Sequence, residues 1–382
     1  MPAQTAILLW SINSCVLLGE EDIMKQISSN RILDKFRGTL VGGAVGDALG
    51  YAVEFMNEDS ILDLYGKKGI TEFSIDPCGK ALFSDDTQMS LFTASGILCY
   101  KRVQQKSHDM DTLRHYIAMA YRDWLNTQEG RIASVKSPDT ISPLMSVPEL
   151  YSWRSPGNTC VGALGIRREQ IENGCLPSSF LSERINNSKG CGAVMRAAPL
   201  GLVRTDDIRA LDMEGAEIGA ITHGHSLGFL PSAMLVHIIS RIVCSEQGMA
   251  LKEIVLDARD TVKDLFLDDE NIDYLTGIVD LAIKLSENND CDLENIHLIG
   301  EGWVGEEALA IAIYCALRHH DDFSAAIIAA VNHRGDSDST GAITGNIIGA
   351  WLGYKAIDEK WKKSLELLDV LLNTADMLYE EA

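Results

Sequence analysis

Two short acid-rich segments carry the residues best suited to chemistry. Ser84-Asp85-Asp86-Thr87 precedes the apolar run Met89–Leu98, and Gly335-Asp336-Ser337-Asp338-Ser339-Thr340 precedes a glycine-rich apolar run. Because Ser, Asp and Thr are favoured at helix N-caps, both segments are predicted to begin helices. One such residue is enough for a cap, whereas each segment has two aspartates and at least two hydroxyl groups. We therefore expect a cation site, with simple capping as the alternative.

The donor atoms of these segments indicate the kind of cation. Carboxylate and hydroxyl oxygens without a neighbouring Cys or His motif suit Mg²⁺, Mn²⁺ or Ca²⁺ better than zinc. Two negative charges about 4 Å apart repel by about 4 kcal/mol at an effective dielectric constant of about 20, so clustered carboxylates favour bound cations. Two neighbouring metal ions can share bridging carboxylates. A calcium EF-hand loop starting at Asp336 is excluded, because its twelfth position is Ile347 rather than Glu.

The segments around these clusters are predicted to be helices. Apolar residues recur at spacings of three and four in Thr112–Leu125, Leu230–Cys244, Leu251–Leu267 and Gly305–Leu317. Clear alternating patterns, which would indicate β-strands, are few. The chemical motifs lie near both ends of the chain, which favours one domain whose ends meet at a site. We place that single domain at residues 31–382.

Glycine recurs at every fourth position in two of the predicted helices. The two series are Gly42, Gly46 and Gly50, and Gly341, Gly345, Gly349 and Gly353. Residues four apart share one helix face, so each series leaves bare backbone on which another helix can pack closely. The cost is roughly 0.5–1 kcal/mol per glycine relative to alanine. Either close packing or an adjacent site must offset it. The first series lacks the G-x-G-x-x-G pattern and the preceding strand of a dinucleotide-binding turn.

Composition narrows the classes of function. The 382 residues are 46% hydrophobic with a mean hydropathy of +0.02, enough to bury a large core. A formal net charge of −22 argues against a nucleic-acid partner, which normally requires a basic surface. Nine cysteines without a C-x-x-C pair fit neither a disulfide framework nor a zinc ribbon. A reducing compartment, and hence the cytoplasm, is predicted.

The first 30 residues are interpreted as an N-terminal arm. Their apolar stretch Ala6–Gly19 is too short to span a bilayer, and no basic residue precedes it as in a signal peptide. No membrane association is therefore expected. Two interpretations remain open: a segment that docks on a partner, or a mis-assigned start with Met24 as the native first residue.

The acid clusters belong to a longer series of motifs that resembles a known family. In chain order the motifs are Phe36-Arg37-Gly38, Gly46-Asp47-Ala48-Leu49-Gly50 with Glu54-Phe55, Ser84–Met89, Pro156–Thr159, Ser188–Arg196, Thr222–His225, Gly302–Leu309 and Asn332–Thr340. From about Phe36 to Tyr354 the chain resembles the ADP-ribosylglycohydrolase family. Within it, the chain is similar to the ADP-ribosylarginine hydrolases and the dinitrogenase-reductase-activating glycohydrolases.

The resemblance implies a fold and a mechanism. The fold is all-α, a compact orthogonal multi-helix bundle with a central cleft for two Mg²⁺ or Mn²⁺ ions. The implied metal ligands are Ser84, Asp85, Asp86, Asp336, Asp338 and Ser339. The implied reaction is hydrolysis of the bond between the anomeric carbon of ADP-ribose and an acceptor side chain. Asp85, Asp86 or Glu54 is expected to take the proton of the attacking water, and a surface or gate position is the alternative for Glu54.

The resemblance also implies the substrate contacts. They are Gly157, Asn158, Ser188, Lys189, Gly190, Cys191, Gly192, His223 and Trp303. The glycines around Cys191 offer backbone N–H groups that suit a phosphate or ribose. Cys191 stands where several relatives have Asn. His223 and Trp303 have core packing as the alternative, and Arg196 is expected to pair with a phosphate or with a structural carboxylate.

The expected function is hydrolytic release of ADP-ribose from modified arginine, with an ADP-ribosylated protein as substrate. The form Ser188-Lys189-Gly190-Cys191-Gly192 looks closer to the arginine-directed branch than to the serine- or polymer-directed branch. Alternatives are a non-catalytic ADP-ribose-binding module, a hydrolase of another ADP-ribosyl linkage (serine, O-acetyl or polymer), and a different two-metal hydrolase. Some relatives protect cells from ADP-ribosylating toxins, and the N-terminal arm is a candidate for docking on such a transferase.

Overall fold

Helices make up most of the part of the chain that the computed structural model describes, which is residues 20–104, 113–131, 140–244 and 248–381. The α-helices are α1 Glu20–Gly50, α2 Glu58–Tyr65, α3 Asp85–Gln104, α4 Leu113–Gln128, α5 Asn158–Glu172, α6 Ile208–Ala220, α7 Ser226–Cys244, α8 Leu251–Leu265, α9 Ile272–Ser286, α10 Asp292–Ile299, α11 Gly305–Arg318, α12 Phe323–Val331, α13 Ser337–Leu352, α14 Glu359–Lys363 and α15 Leu368–Glu381. Short 3₁₀ turns cover Pro143–Ser146, Pro148–Tyr151, Cys191–Arg196, Ala198–Leu202 and Tyr354–Ala356. Within these ranges there is no β-strand, only two isolated bridges. The predicted all-α fold is confirmed.

The periodic segments form helices close to their predicted bounds. The helix predicted over Leu230–Cys244 begins earlier, at Ser226, and the one predicted over Leu251–Leu267 ends at Leu265. The prediction starting at Thr112 corresponds to α4, whose described part begins at Leu113. Both acid clusters lie at helix starts as expected, since α3 begins at Asp85 and α13 at Ser337.

The two glycine series pack against each other at the centre of the fold. A Cβ on Gly46 would collide with the carbonyl oxygen of Gly341, and one on Gly42 with that of Gly345. The Gly38–Gly349 contact continues this register, so α1 and α13 run antiparallel with their backbones touching. Close packing therefore explains the glycine series, and it brings the ends of the chain together.

Gly353 does not belong to this packed face. The prediction that it continues the helical series was wrong, because α13 ends at Leu352 and Gly353 has a φ of 87°. This left-handed conformation suits glycine and terminates the helix.

The remaining helices surround this central pair. α15 packs on α1, where Arg37 forms a bidentate ion pair with Asp376 at 2.6 and 2.7 Å. α7 lies among α6, α8 and α11. It is long and apolar enough to cross a membrane, but 89% of its most apolar stretch is buried inside the protein, which is typical of a core helix.

The predicted N-terminal arm lies mostly outside the described residues. Residues 1–19 are not described, and α1 begins at Glu20 and continues without a break past residue 30. The domain boundary between residues 30 and 31 stays a prediction.

Candidate active site

The first acid cluster is held in place by a carboxylate from another helix. Asp47, fully buried on α1, accepts hydrogen bonds from the backbone N–H of Ser84 at 2.8 Å and of Thr87 at 2.9 Å. It also accepts one from the Thr87 hydroxyl at 2.5 Å. The Ser84 hydroxyl accepts from the N–H of Asp86 at 3.2 Å. These contacts satisfy the free N–H groups at the start of α3, so the carboxylates of Asp85 and Asp86 are not needed as caps.

The second acid cluster caps its own helix. One carboxylate oxygen of Asp336 accepts from the N–H of Ser339 at 3.3 Å, as an N-cap does. Its other oxygen accepts the thiol hydrogen of Cys191, with sulfur and oxygen 2.6 Å apart. Asp338 accepts from the same N–H of Ser339 at 3.0 Å. Hydrogen bonds within the protein thus already use some of the carboxylate oxygens that a cation would need.

Both clusters open into one cavity. Single carboxylate oxygens of Glu54, Asp336 and Asp338 lie within 4.8 Å of one another. Asp85 and Asp86 line the same cavity, whose volume is about 220 Å³. The other lining residues are Ser155, Gly157, Asn158, Thr159, Cys160, Gly190, Cys191, Gly192, Met195, His223, Trp303 and Ser339.

Burial and mutual repulsion disfavour the charged forms of these acids. Burial and the carboxylates of Asp336, Asp85 and Asp47 raise the pKa of Glu54 to about 9. Burial and the neighbouring carboxylates also raise the pKa of Asp85, of Asp86 and of Asp338 well above the ordinary value. Burial raises the pKa of Asp47 to about 6, against the opposing effect of its hydrogen bonds from Thr87 and Ser84.

These groups fit a divalent cation. One oxygen each of Glu54, Asp85 and Asp86 is buried without a hydrogen-bond partner. Buried polar atoms are normally paired, so unpartnered carboxylate oxygens at one cavity point to a missing positive group. The donors are all hard oxygens, which suit Mg²⁺ or Mn²⁺. An acidic cluster able to hold a metal is present.

The glycine loop after Ser188 reaches the cavity only in part. Gly190, Cys191 and Gly192 line it, whereas Ser188 and Lys189 do not. The Lys189 ammonium instead pairs at 2.5 Å with Glu306, which is fully buried. The Ser188 hydroxyl contacts that of Thr159 at 3.1 Å. The loop therefore presents backbone and a thiol to the cavity.

His223 lines the cavity from below and is 1% exposed. Its Nδ1 lies 2.8 Å from the hydroxyl of Thr222. Burial and the guanidinium of Arg196 lower the pKa of His223 to about 3, so the imidazole is neutral. Arg196 is fully buried, does not line the cavity and forms no ion pair with a carboxylate among the described residues. The structural carboxylate expected for it from the sequence is therefore not its partner among the described residues, and pairing with a phosphate stays a prediction.

An aromatic pair stands at the mouth of the cavity. Trp303 is 40% exposed and stacks on Phe55, which is 73% exposed, with ring centroids 6.1 Å apart and planes inclined by 19°. Trp303 is thus not a core residue. Across the cavity, Asn158 is the first residue of α5.

Sequence reasoning missed Asp47 as part of the site. It stands in the opening motif, where the neighbouring glycines indicate close helix packing and not a polar role. An aspartate within a buried, glycine-lined helix is the signal that could have found it, because such a charge needs partners. Ser84 also takes a place other than expected, since it does not line the cavity and its hydroxyl caps α3.

Comparisons with known proteins agree with the all-α fold. The chain is 25% identical to "ADP-ribosylarginine hydrolase Tri1" of Serratia proteamaculans over 92% of this chain and 81% of that protein. It is 22% identical to "ADP-ribosylhydrolase ARH3" of Mus musculus over 93% of this chain and 94% of that protein. A solved "ADP-ribosylglycohydrolase-related protein complex" superposes with a TM-score of 0.61 at 21% identity, covering 92% of this chain and 99% of that one, and supports the fold.

The family profile described as ADP-ribosylglycohydrolase matches residues 28–382. Its members are glycosyl hydrolases that act on ADP-ribose linkages. The match spans both acid clusters, Glu54 and the glycine loop, and by this match the chain belongs to the ADP-ribosylglycohydrolase family.

Proposed function

We propose that this protein is a divalent-cation-dependent hydrolase that releases ADP-ribose from modified arginine side chains of proteins. The observation that carries the proposal is the set of three buried, unpartnered carboxylate oxygens, on Glu54, Asp85 and Asp86, around one cavity. A protein that only binds ADP-ribose has little reason to keep such a set, because unpaired buried charges destabilise the fold.

The acid clusters are the proposed cation site. Asp85, Asp86, Asp336 and Asp338, with the hydroxyl of Ser339, would hold two Mg²⁺ or Mn²⁺ ions, whereas the Ser84 hydroxyl caps α3 and is left out of the proposed ligand set. When bound, such ions neutralise the carboxylates, polarise water and orient hydroxyl groups of a sugar. Asp47 accepts two hydrogen bonds from the backbone of the first cluster and one from the Thr87 hydroxyl, which keeps the carboxylates of Asp85 and Asp86 directed at the cavity.

Glu54 is the proposed proton-transfer group. Its Oε2 is buried at the cavity without a partner, and the residue lies in the turn that follows the end of α1 at Gly50. Burial and neighbouring acids raise the pKa of this carboxyl group, so positive charge nearby is needed to keep it ionised and able to accept a proton. In this role Glu54, with Asp85 or Asp86, takes the proton of the attacking water at the anomeric carbon.

The cavity wall formed by the glycine loop and the start of α5 would hold the ADP-ribosyl group. Gly190 and Gly192 would present their backbone to phosphate or ribose oxygens, and Gly157 and Asn158 stand at the start of α5. Arginine as the acceptor is supported by the form of the Ser188–Gly192 loop and by the arginine hydrolase named among the relatives. The acceptor protein would approach the exposed pair of Phe55 and Trp303.

A protein partner and a cellular location are also part of the proposed function. The N-terminal arm, residues 1–30, is a candidate docking segment for an ADP-ribosyltransferase toxin, against which the enzyme would protect. A cytoplasmic location is supported by the cysteines, which are all free among the described residues.

The test measures free ADP-ribose released from two defined peptides, one modified on Arg and one on Ser. Each is incubated with Mg²⁺, with Mn²⁺ and with EDTA, beside the Asp336→Ala/Asp338→Ala variant. Cation-dependent release from the Arg peptide alone, lost in the variant, is the expected result. Release from the Ser peptide would overturn the acceptor, and cation-dependent binding without release would indicate a binding module.

A further inference from the structure

A guanidinium without a carboxylate partner lies beneath the cavity. Arg196 is fully buried and packs over the ring of Tyr121, with 4.4 Å between its guanidinium carbon and the ring centroid. Its NH2 group donates to the Thr222 hydroxyl at 2.6 Å, and its NH1 group contacts the sulfur of Cys160 at 3.3 Å. A charge buried in this way destabilises the folded state unless its contacts compensate.

The contact with Arg196 determines to which atom the Thr222 hydroxyl donates its hydrogen. A guanidinium has only donors, so the Thr222 oxygen must be the acceptor from Arg196. The hydroxyl keeps one hydrogen to donate, and His223 Nδ1 is the acceptor within reach, at 2.8 Å. If Nδ1 carried a hydrogen instead, the Thr222 hydroxyl hydrogen would have no acceptor among the described residues. The arrangement therefore selects the imidazole tautomer that carries its hydrogen on Nε2.

That Nε2 atom faces the cavity. A Cβ on Gly190 would lie 3.3 Å from it, and one on Gly192 would lie 3.5 Å from it. Nε2 has no hydrogen-bond partner among the described residues, and His223 lines the cavity. Burial and the positive charge of Arg196 also keep the ring neutral by lowering its pKa to about 3. The ring thus presents one fixed N–H donor beside the glycine loop.

We infer that Arg196 and Thr222 are positioning residues that hold His223 as the neutral Nε2–H tautomer, and that this N–H donates to a hydroxyl or phosphate oxygen of the bound ADP-ribosyl group. The identity of the ligand rests on the proposed function. The tautomer rests only on the contacts among the three side chains. A neutral donor suits this place, because an imidazolium would compete with the cations held by the acid clusters a short distance away in the same cavity.

The first test reads the tautomer directly. The full-length protein, with ¹⁵N-labelled histidine and bound Mg²⁺, is observed by long-range ¹H–¹⁵N correlation from pH 8 to pH 5, and His223→Gln assigns the signal. The expected pattern is the Nε2–H tautomer throughout this range. An Nδ1–H pattern, or protonation of the ring above pH 5, would overturn the inference without involving activity or ADP-ribose.

The second test uses a matched pair of variants and ADP-ribose binding. Thr222→Val keeps the shape but removes the hydroxyl, and Thr222→Ser keeps the hydroxyl. With saturating Mg²⁺, Thr222→Val should weaken ADP-ribose binding about tenfold, as loss of one oriented hydrogen bond does, whereas Thr222→Ser should stay within about twofold. Mg²⁺ affinity should be unchanged in both, which a merely structural defect would not give.

The outcomes separate the inference from the proposed function. Equal ADP-ribose affinity in Thr222→Val and wild type would overturn the donor role. If wild type binds no ADP-ribose at any Mg²⁺ concentration, the donor role and the proposed function both fail, while the spectrum still decides the tautomer. Binding of ADP-ribose without hydrolysis would leave the donor role in place and remove only the proposed reaction.

Discussion

The two acid clusters differ in what holds them. At α3 the backbone N–H groups of the first turn are capped by Asp47 from another helix, and one oxygen each of Asp85 and Asp86 has no hydrogen-bond partner. At α13 Asp336 is itself the cap and also accepts from Cys191. An oxygen without a hydrogen-bond partner is available to a cation at no cost, whereas the oxygens of Asp336 must give up hydrogen bonds to bind one. The α3 cluster should therefore respond more strongly to cations.

The largest effect is expected on catalysis when the carboxylate of Asp86, which has one oxygen without a hydrogen-bond partner, is removed. Asp86→Asn should lower kcat/KM for release from the Arg peptide by at least about a hundredfold, because a cation supplies several kcal/mol of transition-state stabilisation. In EDTA its Tm should rise, since a buried, repelled charge is gone. Asp336→Asn should raise Tm less, because the Cys191 hydrogen bond loses its charged acceptor. Asp63→Asn, at an exposed site, controls for the charge change, and a lower Tm for Asp86→Asn would contradict the comparison.

The positioning carboxylate should behave in the opposite way. Asp47→Asn should weaken Mg²⁺ binding about 10- to 100-fold, as removal of groups that orient metal ligands does. Its Tm in EDTA should fall rather than rise, because an amide keeps only one oxygen acceptor, so the N–H of either Ser84 or Thr87 would face an NH₂ group that cannot accept. Calorimetric Mg²⁺ titration and thermal melting measure both. Unchanged Mg²⁺ affinity would show that the first cluster keeps its shape unaided.

The pH dependence of stability tests both clusters together. Without cations the acids bind protons more tightly in the folded state than in the unfolded state, with pKa values of about 6 for Asp47 and about 9 for Glu54. The free energy of unfolding in EDTA should therefore fall as pH rises from about 4 to about 9. We expect a loss of at least a few degrees in Tm between pH 6 and pH 8.5, largely removed by Mg²⁺. A pH-independent Tm in EDTA would mean that the clusters are already neutralised.

The smallest effect is expected at the contact between the loop and the second cluster. Cys191→Ala removes a weak thiol donor from Asp336 and frees that oxygen. Mg²⁺ affinity should rise, but within about threefold, and Cys160→Ala, which alters another thiol lining the cavity, serves as a comparison. A large loss of Mg²⁺ affinity in Cys191→Ala alone would show that the thiol supports the site.

Local patterns predicted the helices and both acid clusters, because N-cap residues and apolar spacing are properties of a few neighbouring residues. The pairing of Gly46 with Gly341 and the contact from Asp47 to the Ser84 backbone depend on tertiary packing, which the spacing does not encode. The same reason explains Lys189, whose side chain was expected in the substrate site and instead pairs with Glu306. The motif indicated the loop correctly but not the direction of that side chain.

The antiparallel contact of α1 and α13 also determines when the enzyme can exist during its synthesis. The bare face of α1 leaves the ribosome long before its partner helix, which carries Gly341 and Gly345. Long-range pairing of this kind slows folding and leaves apolar surface exposed meanwhile. A nascent chain stalled before residue 337 would lack the central packing partner and half of the acid clusters. The acid clusters are thus brought together only after α13 has been synthesised, and chaperone demand should be greatest just before that point.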